Sequence, residues 1–261
     1  MNDMLHLTID GRVVQARRGE MLLTVLRRLG IDIPALCHHE AVEPFGACRL
    51  CTVEITKQEW KGWKDYVTSC LYPVADGLIV STHSTKVVQL RRTLMDLYLA
   101  RCPNSPRIQR LAEEYGITKT TYEEIPDRDN CILCGLCTRI CEKMGFAAIS
   151  TVGRGHTKEV APPLNEAPVD CVGCLSCAIN CPTDVIKYSD EAGIRTIWDK
   201  RFELLSCSRC GKITITRDFA RSLSQSRNIP LEYFEVCDEC HRQDLAQTMS
   251  RITSWSRETT P

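Results

Sequence analysis

Polar and apolar residues alternate at the start of the chain. "HLTID" (residues 6–10) and "RVVQA" (12–16) each read as a short half-buried strand, and the Asp10-Gly11 pair between them is a hairpin signal. The period then changes. Met21, Leu22, Val25, Leu26 and Leu29 recur at helical spacing in "EMLLTVLRRLG", with Gly30 placed to end the helix. "LCTVEI" and "LIVST" return to strand character. Two strands, a helix and further strands predict an α+β fold with the helix packed across a sheet.

Between residues 84 and 116 the pattern is helical: Ser84 can cap "TKVVQLRRTLMDLYLAR", Ser105 with Pro106 opens "RIQRLAEEY", and Gly116 closes it. This pair reads as a connector. Further on, "ISTVGRGHTKEV" suggests a small hairpin, a helix and a strand are expected between "CSRC" and "CDEC", and the polar tail "SWSRETTP" is expected to be loose.

Composition changes the picture in one respect: 17 of the 261 residues are cysteine. The opening "MNDMLHLTID" lacks the basic and apolar regions of a signal peptide, and no apolar run approaches the roughly 18 residues that span a bilayer. The expectation is a reducing cytoplasmic compartment, where clustered thiols are more often metal ligands than disulfides. Thirty-three basic and 33 acidic residues cancel, so charge offers no reason to expect nucleic acid or a membrane surface as partner. The length fits about two domains, or several small ones held by metals.

"DNCILCGLCTRIC" and "DCVGCLSCAINCP" repeat the spacing C-x2-C-x2-C-x3-C. A four-iron cubane needs one thiolate per iron, and in this pattern the fourth cysteine of each run serves the other cluster. One [4Fe-4S] cluster is therefore assigned to Cys131, Cys134, Cys137 and Cys181, and a second to Cys171, Cys174, Cys177 and Cys141. Pro182 follows the last ligand as the bacterial pattern prefers, whereas Glu142 stands at that place in the first run. Zinc knuckles or inert thiols are the alternative, which eight cysteines at this doubled spacing disfavour.

Cys37, Cys48, Cys51 and Cys70 follow C-x10-C-x2-C-x18-C, with a longer first gap than plant-type two-iron ferredoxins. Through "IPALCHHE", "GACRLCTVEI" and the order of the motifs, most of residues 1–190 resembles the N-terminal region of the large iron-sulfur subunit of NADH:quinone oxidoreductase. It is similar also to the diaphorase subunit of bidirectional hydrogenases and to iron-iron hydrogenases. The resemblance implies a β-grasp domain whose four cysteines hold one [2Fe-2S] cluster. That family usually adds a cubane bound by one histidine and three cysteines, but "LARCPNSPRIQRLAEEYG" offers only Cys102 and no histidine. The extra cluster is expected to be absent and Cys102 to be a packed or free thiol. His38 and His39, beside Cys37, are expected to serve the loop rather than to ligate.

Cys207, Cys210, Cys237 and Cys240 form two C-x2-C knuckles, enough for one tetrahedral metal, with zinc favoured over a mononuclear iron and His241 surplus. "SCSRCGK" and "VCDECHRQ" resemble the tail of the formate hydrogenlyase iron-sulfur subunit. A nucleic-acid-binding zinc ribbon is disfavoured by the neutral charge.

The expected domains are a [2Fe-2S] β-grasp domain (1–83), a helical connector (84–126), a 2[4Fe-4S] ferredoxin domain (127–199) and a small four-cysteine metal-binding module, zinc-ribbon or rubredoxin-like, with tail (200–261). No nucleotide-binding glycine motif, catalytic triad or open iron position is apparent, so no catalytic site is assigned. The expected function is one-electron transfer in a hetero-oligomeric oxidoreductase: a hydrogenase, formate dehydrogenase or NADH-dehydrogenase-like complex. The relay would link a catalytic subunit to a flavin/NAD-linked or ferredoxin-linked partner. A stand-alone polyferredoxin-like carrier and a metal-stabilised interaction module are the alternatives.

Overall fold

A computed structural model describes residues 3–124 and 130–258, the helix side chains beyond Arg251 excepted. The chain divides into two compact units, Met1–Met144 with Thr151–Val160 and Cys177–Ile186, and Gly145–Ser150 with Ala161–Ser176 and Lys187–Pro261. Helices and sheets are both present, as an α+β chain requires.

In the first unit, β1 (Met4–Ile9) and β2 (Arg12–Arg17) form the expected hairpin, Ile9 facing Arg12 across the turn. Asp10 and Gly11 both have positive φ, the conformation that matches the twist of a two-residue turn. Alternation along β1 buries Leu5, Leu7 and Ile9. Helix α1 (Leu22–Arg28) is shorter than its periodicity suggests: Met21 serves as N-cap, and Leu29 is left exposed. With β3 (Thr52–Lys57), β4 (Asp65–Thr68) and β5 (Leu78–Ser81), the sheet runs in the order β2-β1-β5-β3-β4, only β1 and β5 pairing in parallel. Its apolar face and Leu22, Leu23, Val25 and Leu26 of α1 share one core.

Helix α2 (Thr85–Arg101) has the bounds its sequence implies, with Ser84 Oγ accepting from the Val87 N–H. At α3 (Pro106–Glu114) the expected cap differs: Ser105 precedes the helix, but its hydroxyl is buried and has no hydrogen-bond partner. Met95, Leu99, Ile108 and Ala112 bury one seam of this helical pair. Helix α4 (Leu136–Lys143) carries Cys137 and Cys141, the third and fourth cysteines of the first run. Strands β6 (Ser150–Val152) and β7 (Glu159–Ala161) pair as the anticipated small hairpin, and α5 (Ser176–Ile179) is a single turn.

The second unit contains a sheet of which the sequence pattern predicted only the strand between Cys210 and Cys237. Strands β8 (Tyr188–Glu191), β9 (Ile194–Ile197), β10 (Lys200–Ser206) and β11 (Ile213–Thr216) form an antiparallel meander in the order β11-β10-β9-β8. β8 is exposed throughout, so it lacks the alternation that marks a half-buried strand. Helix α6 (Arg217–Arg227) follows, capped by Thr216. Helix α7 (Asp238–Glu258) runs into the segment expected to be loose. Between Asp238 and Thr260 there is no glycine or proline, so nothing in the backbone chemistry stops it earlier.

Candidate metal centres

The loop joining α1 to β3 carries Cys37, Cys48 and Cys51, and Cys70 lies just after β4; all four are buried. They come together two by two. The Cys37 thiol is lowered to about 6, first by its neighbour Cys48, which is itself raised. Cys70 does the same for Cys51, lowering it to about 7, and is itself raised. The Cys48 N–H also donates to Cys37 Sγ at 3.4 Å. Gly46, at φ +70, lets the loop pass under Leu71, whose Cδ1 occupies the place a Cβ there would take. Four buried thiols in two pairs suit a two-iron core, which takes two thiolates per iron. The neighbouring histidines are engaged elsewhere. His38 Nδ1 lies 3.1 Å from Arg27 Nη1, with burial lowering its basicity, and His39 Nδ1 accepts from the Ala41 N–H at 3.1 Å.

The first repeated run turns through Leu133 and Gly135, both at positive φ, before entering α4. The Leu133 N–H points at Cys131 Sγ, 3.4 Å away. Burial pushes the thiols of Cys134 and Cys137 up to about 11 and about 12. Cys181 and Cys131 both act electrostatically on Cys134, so the fourth cysteine of the second run lies near one of the first three of the first. Cys177 in turn acts on Cys137. Cys141 belongs to this unit as well, whereas Cys171 and Cys174 belong to the second. Cys102 sits with Leu99 and Ile108 in the apolar core, its thiol raised by burial to about 12.

In the second unit the backbone around Cys171 and Cys174 is gripped from the meander. Arg195 Nη1 donates to the Gly173 carbonyl at 3.0 Å, and Lys200 Nζ to the Cys171 carbonyl at 2.8 Å. The Thr216 hydroxyl donates to the Val172 carbonyl. Gly173 adopts φ +68 with Phe202 and Thr216 so close that a Cβ would lie 2.8 Å from Phe202 Cδ2.

Cys207, Cys210, Cys237 and Cys240 have all their Sγ atoms within 4.8 Å of one another. A tetrahedral ion with metal–sulfur bonds of about 2.3 Å sets its ligand sulfurs about 3.8 Å apart. The Cys207–Cys240 and Cys210–Cys237 sulfurs lie 3.9 and 3.6 Å apart, so this quartet fits a single ion. The Cys207 thiol is lowered to about 6, first by the N–H of Cys237, which readies it for a cation. His241 stacks on Tyr233 and reaches its carbonyl at 3.0 Å, away from ligand duty. Among the described residues no cysteine forms a disulfide.

The arginines that hold these loops were not legible in the sequence. Arg91, Arg139 and Arg195 reach residues 41, 102 and 22 positions away, and no local spacing announces such bonds.

Comparison with known proteins agrees with this chemistry. Residues 2–85 match a 2Fe-2S iron-sulfur cluster binding domain, and residues 130–185 match a 4Fe-4S dicluster domain. The chain is 32% identical over 214 residues to the HndD subunit of an NADP-reducing hydrogenase from Solidesulfovibrio fructosivorans, covering 70% of this chain and 36% of that one. It is 31% identical over 207 residues to the alpha subunit of an NADPH-Fe(3+) oxidoreductase from Geobacter sulfurreducens, covering 70% of this chain and 24% of the relative. Against the 75 kDa subunit of NADH-ubiquinone oxidoreductase from Reclinomonas americana the figures are 28% over 182 residues, 60% and 26%. The chain thus spans about a third or less of the length of these relatives. A crystal structure of an NAD+-reducing [NiFe]-hydrogenase superposes with a TM-score of 0.54 at 28% identity, over 60% of this chain and 74% of that one. The chain is therefore an iron-sulfur protein homologous to subunits of hydrogenases and NADH-quinone oxidoreductases.

Proposed function

We propose that this chain is an electron-relay subunit of a multisubunit oxidoreductase, passing single electrons between a catalytic subunit and a flavin/NAD-linked or ferredoxin-linked partner. When bound, the clusters supply one-electron redox chemistry at potentials that the surrounding protein tunes. Cys37, Cys48, Cys51 and Cys70 would hold a [2Fe-2S] cluster in a β-grasp domain, a reading that the mixed sheet with α1 across it supports. The two-by-two thiol pairing supports Cys37 with Cys48 on one iron and Cys51 with Cys70 on the other. Cys131, Cys134, Cys137 and Cys181 would hold one [4Fe-4S] cluster, and Cys171, Cys174, Cys177 and Cys141 a second.

The observation that carries this reading is the shared core of the first unit, where Cys37 and Cys48 pack in one apolar cluster with Cys134. Tyr98 stands among them, its hydroxyl donating to the Cys48 carbonyl at 3.1 Å, and Cys48, Cys37 and Cys134 all act on its phenol. The chain's own residues thus keep water out between the two-iron loop and the first cubane run. Such insulation suits electron transfer between the two groups.

The Cys207–Cys240 quartet would hold one zinc ion as a structural site, in a module of residues 200–261 beside domains at 1–83, 84–126 and 127–199. No helix among the described residues is long and apolar enough to cross a membrane. A reducing, cytoplasmic setting suits so many cysteines without disulfides. The test is anaerobic purification from native extract. Co-elution with large subunits, about ten irons per chain, and one two-iron with two interacting four-iron signals after dithionite are expected. A chain that elutes alone, or that carries zinc throughout, would refute the relay.

A further inference from the structure

Arg91 is 1% exposed, the largest side chain among those fully buried. From α2 it reaches the cluster loop, Nε donating to the Leu50 carbonyl at 3.0 Å and Nη2 to the Thr52 carbonyl at 2.9 Å. Those carbonyls flank Cys51, with Leu50 lying between Cys51 and Arg49 of the C-x2-C turn. Both partners are neutral. A guanidinium keeps its positive charge under any physiological condition, and burying one without a counter-charge is strongly unfavourable.

Among the described residues no buried carboxylate supplies that counter-charge. Among the described residues the buried carboxylates are Glu54 and Asp96. Glu54 accepts from Lys64 and Tyr66, at 2.6 and 3.0 Å. Asp96 accepts from the hydroxyls of Thr120 and Thr121, at 2.7 and 2.6 Å. Among the described residues no ion pair involves Arg91. The contrast with the other buried arginine is direct: Arg195, which grips the Gly173 carbonyl, also makes two bonds to Asp190, at 2.8 and 2.7 Å.

We infer that the missing counter-ion of Arg91 is the cluster bound by Cys37, Cys48, Cys51 and Cys70, and that Arg91 holds the reduction potential of that cluster up. The inference rests on the two-iron reading of those four thiols. A two-iron core with its four thiolates is a net anion, and reduction adds one more negative charge without changing its ligands. A fixed cation buried beside the loop therefore stabilises the reduced form more than the oxidised one. The carbonyl contacts orient the guanidinium; its charge sets the potential.

The experiment compares R91Q and R91K with the native chain in the intact complex, following the two-iron paramagnetic signal in an equilibrium redox titration at a temperature where cubane signals have broadened away. R91Q, which keeps a donor and loses the charge, should lower the midpoint so that the reduced fraction at fixed potential falls roughly tenfold, about 59 mV for a one-electron couple. R91K, which keeps the charge, should stay within about twofold of native. A native midpoint in R91Q, or an equal fall in both variants, overturns the inference while leaving the two-iron reading intact. If R91Q retains no two-iron signal, R91K decides: a tenfold fall there overturns the charge argument, and a native midpoint supports it. Absence of the signal from the native chain would overturn the two-iron reading itself and the inference with it.

Discussion

Arg139 Nη2 donates to the backbone carbonyl of Cys37 at 2.7 Å, across 102 residues of sequence. The same guanidinium donates to the Glu43 carbonyl at 2.6 Å and lies over the Phe45 ring, 5.1 Å from its centroid. Arg139 belongs to α4, between the third and fourth cysteines of the first repeated run. One side chain thus pins the N-terminal cysteine loop to the helix of the cubane motif. Replacement by alanine removes several charge-assisted bonds and should cost about 1–3 kcal/mol of stability. Thermal unfolding of the iron-loaded chain measures the loss, and limited proteolysis should find the 37–48 loop cut sooner while the iron content holds.

The Gly173 loop gives a sterically decided prediction. At φ +68, with Phe202 Cγ 2.9 Å and Thr216 Cγ2 3.0 Å from where a Cβ would stand, alanine is excluded on both conformational and packing grounds. Gly173→Ala should destabilise the second unit by about 2–4 kcal/mol. It should also lower the iron bound per chain, since Cys171 and Cys174 are held by the same loop. An unaltered unfolding midpoint would show that the loop can move aside.

The Asp190–Arg195 bridge carries a pH dependence whose sign follows from its geometry. The Arg195 guanidinium, bonded twice to Asp190, holds that carboxyl below its usual range. The bridge's contribution is therefore fully present above the ordinary carboxylate value of about 3.9. It is lost as the pH falls through the lower value that Asp190 has in the folded chain. Because Asp190 is partly exposed, solvent screening limits the gain to about 1 kcal/mol. As the pH falls from 6, the native chain should begin to lose this increment near the ordinary carboxylate value of about 3.9, and D190N should not.

The C-terminal quartet makes a prediction about metal removal. Its local apolar cluster consists of Cys207, Cys237 and Cys240 with Val236 packed alongside, too little to hold the knuckles together without an ion. Cys240→Ser should reduce the bound zinc by about one ion per chain and leave the iron unchanged. Circular dichroism should show helix loss from α6 and α7, whereas the two-iron signal persists. If iron falls and zinc does not, the quartet holds iron instead.

Local chemistry was legible in the sequence because it is carried by residues near one another along the chain. The Asp10-Gly11 turn needs only its two residues in a left-handed backbone, and α2 needs only Ser84 and a helical run, so both stand where the pattern put them. The doubled cysteine spacing and the paired knuckles likewise announce metal-binding chemistry from spacing alone. Strand β8 was not legible, since an exposed strand held only by its partner carries no hydrophobic alternation.

By itself, then, the sequence determined how its thiols are spaced and what kind of inorganic chemistry that spacing suits, because ligand spacing is a local property of the chain. Tertiary structure alone decided what surrounds them: that Cys37 and Cys134 share a core, that Arg139 ties their loops together, and that Arg91 is buried beneath the cluster loop without a carboxylate. Burial and long-range charge depend on segments tens of residues apart meeting in space, and no local periodicity encodes that meeting.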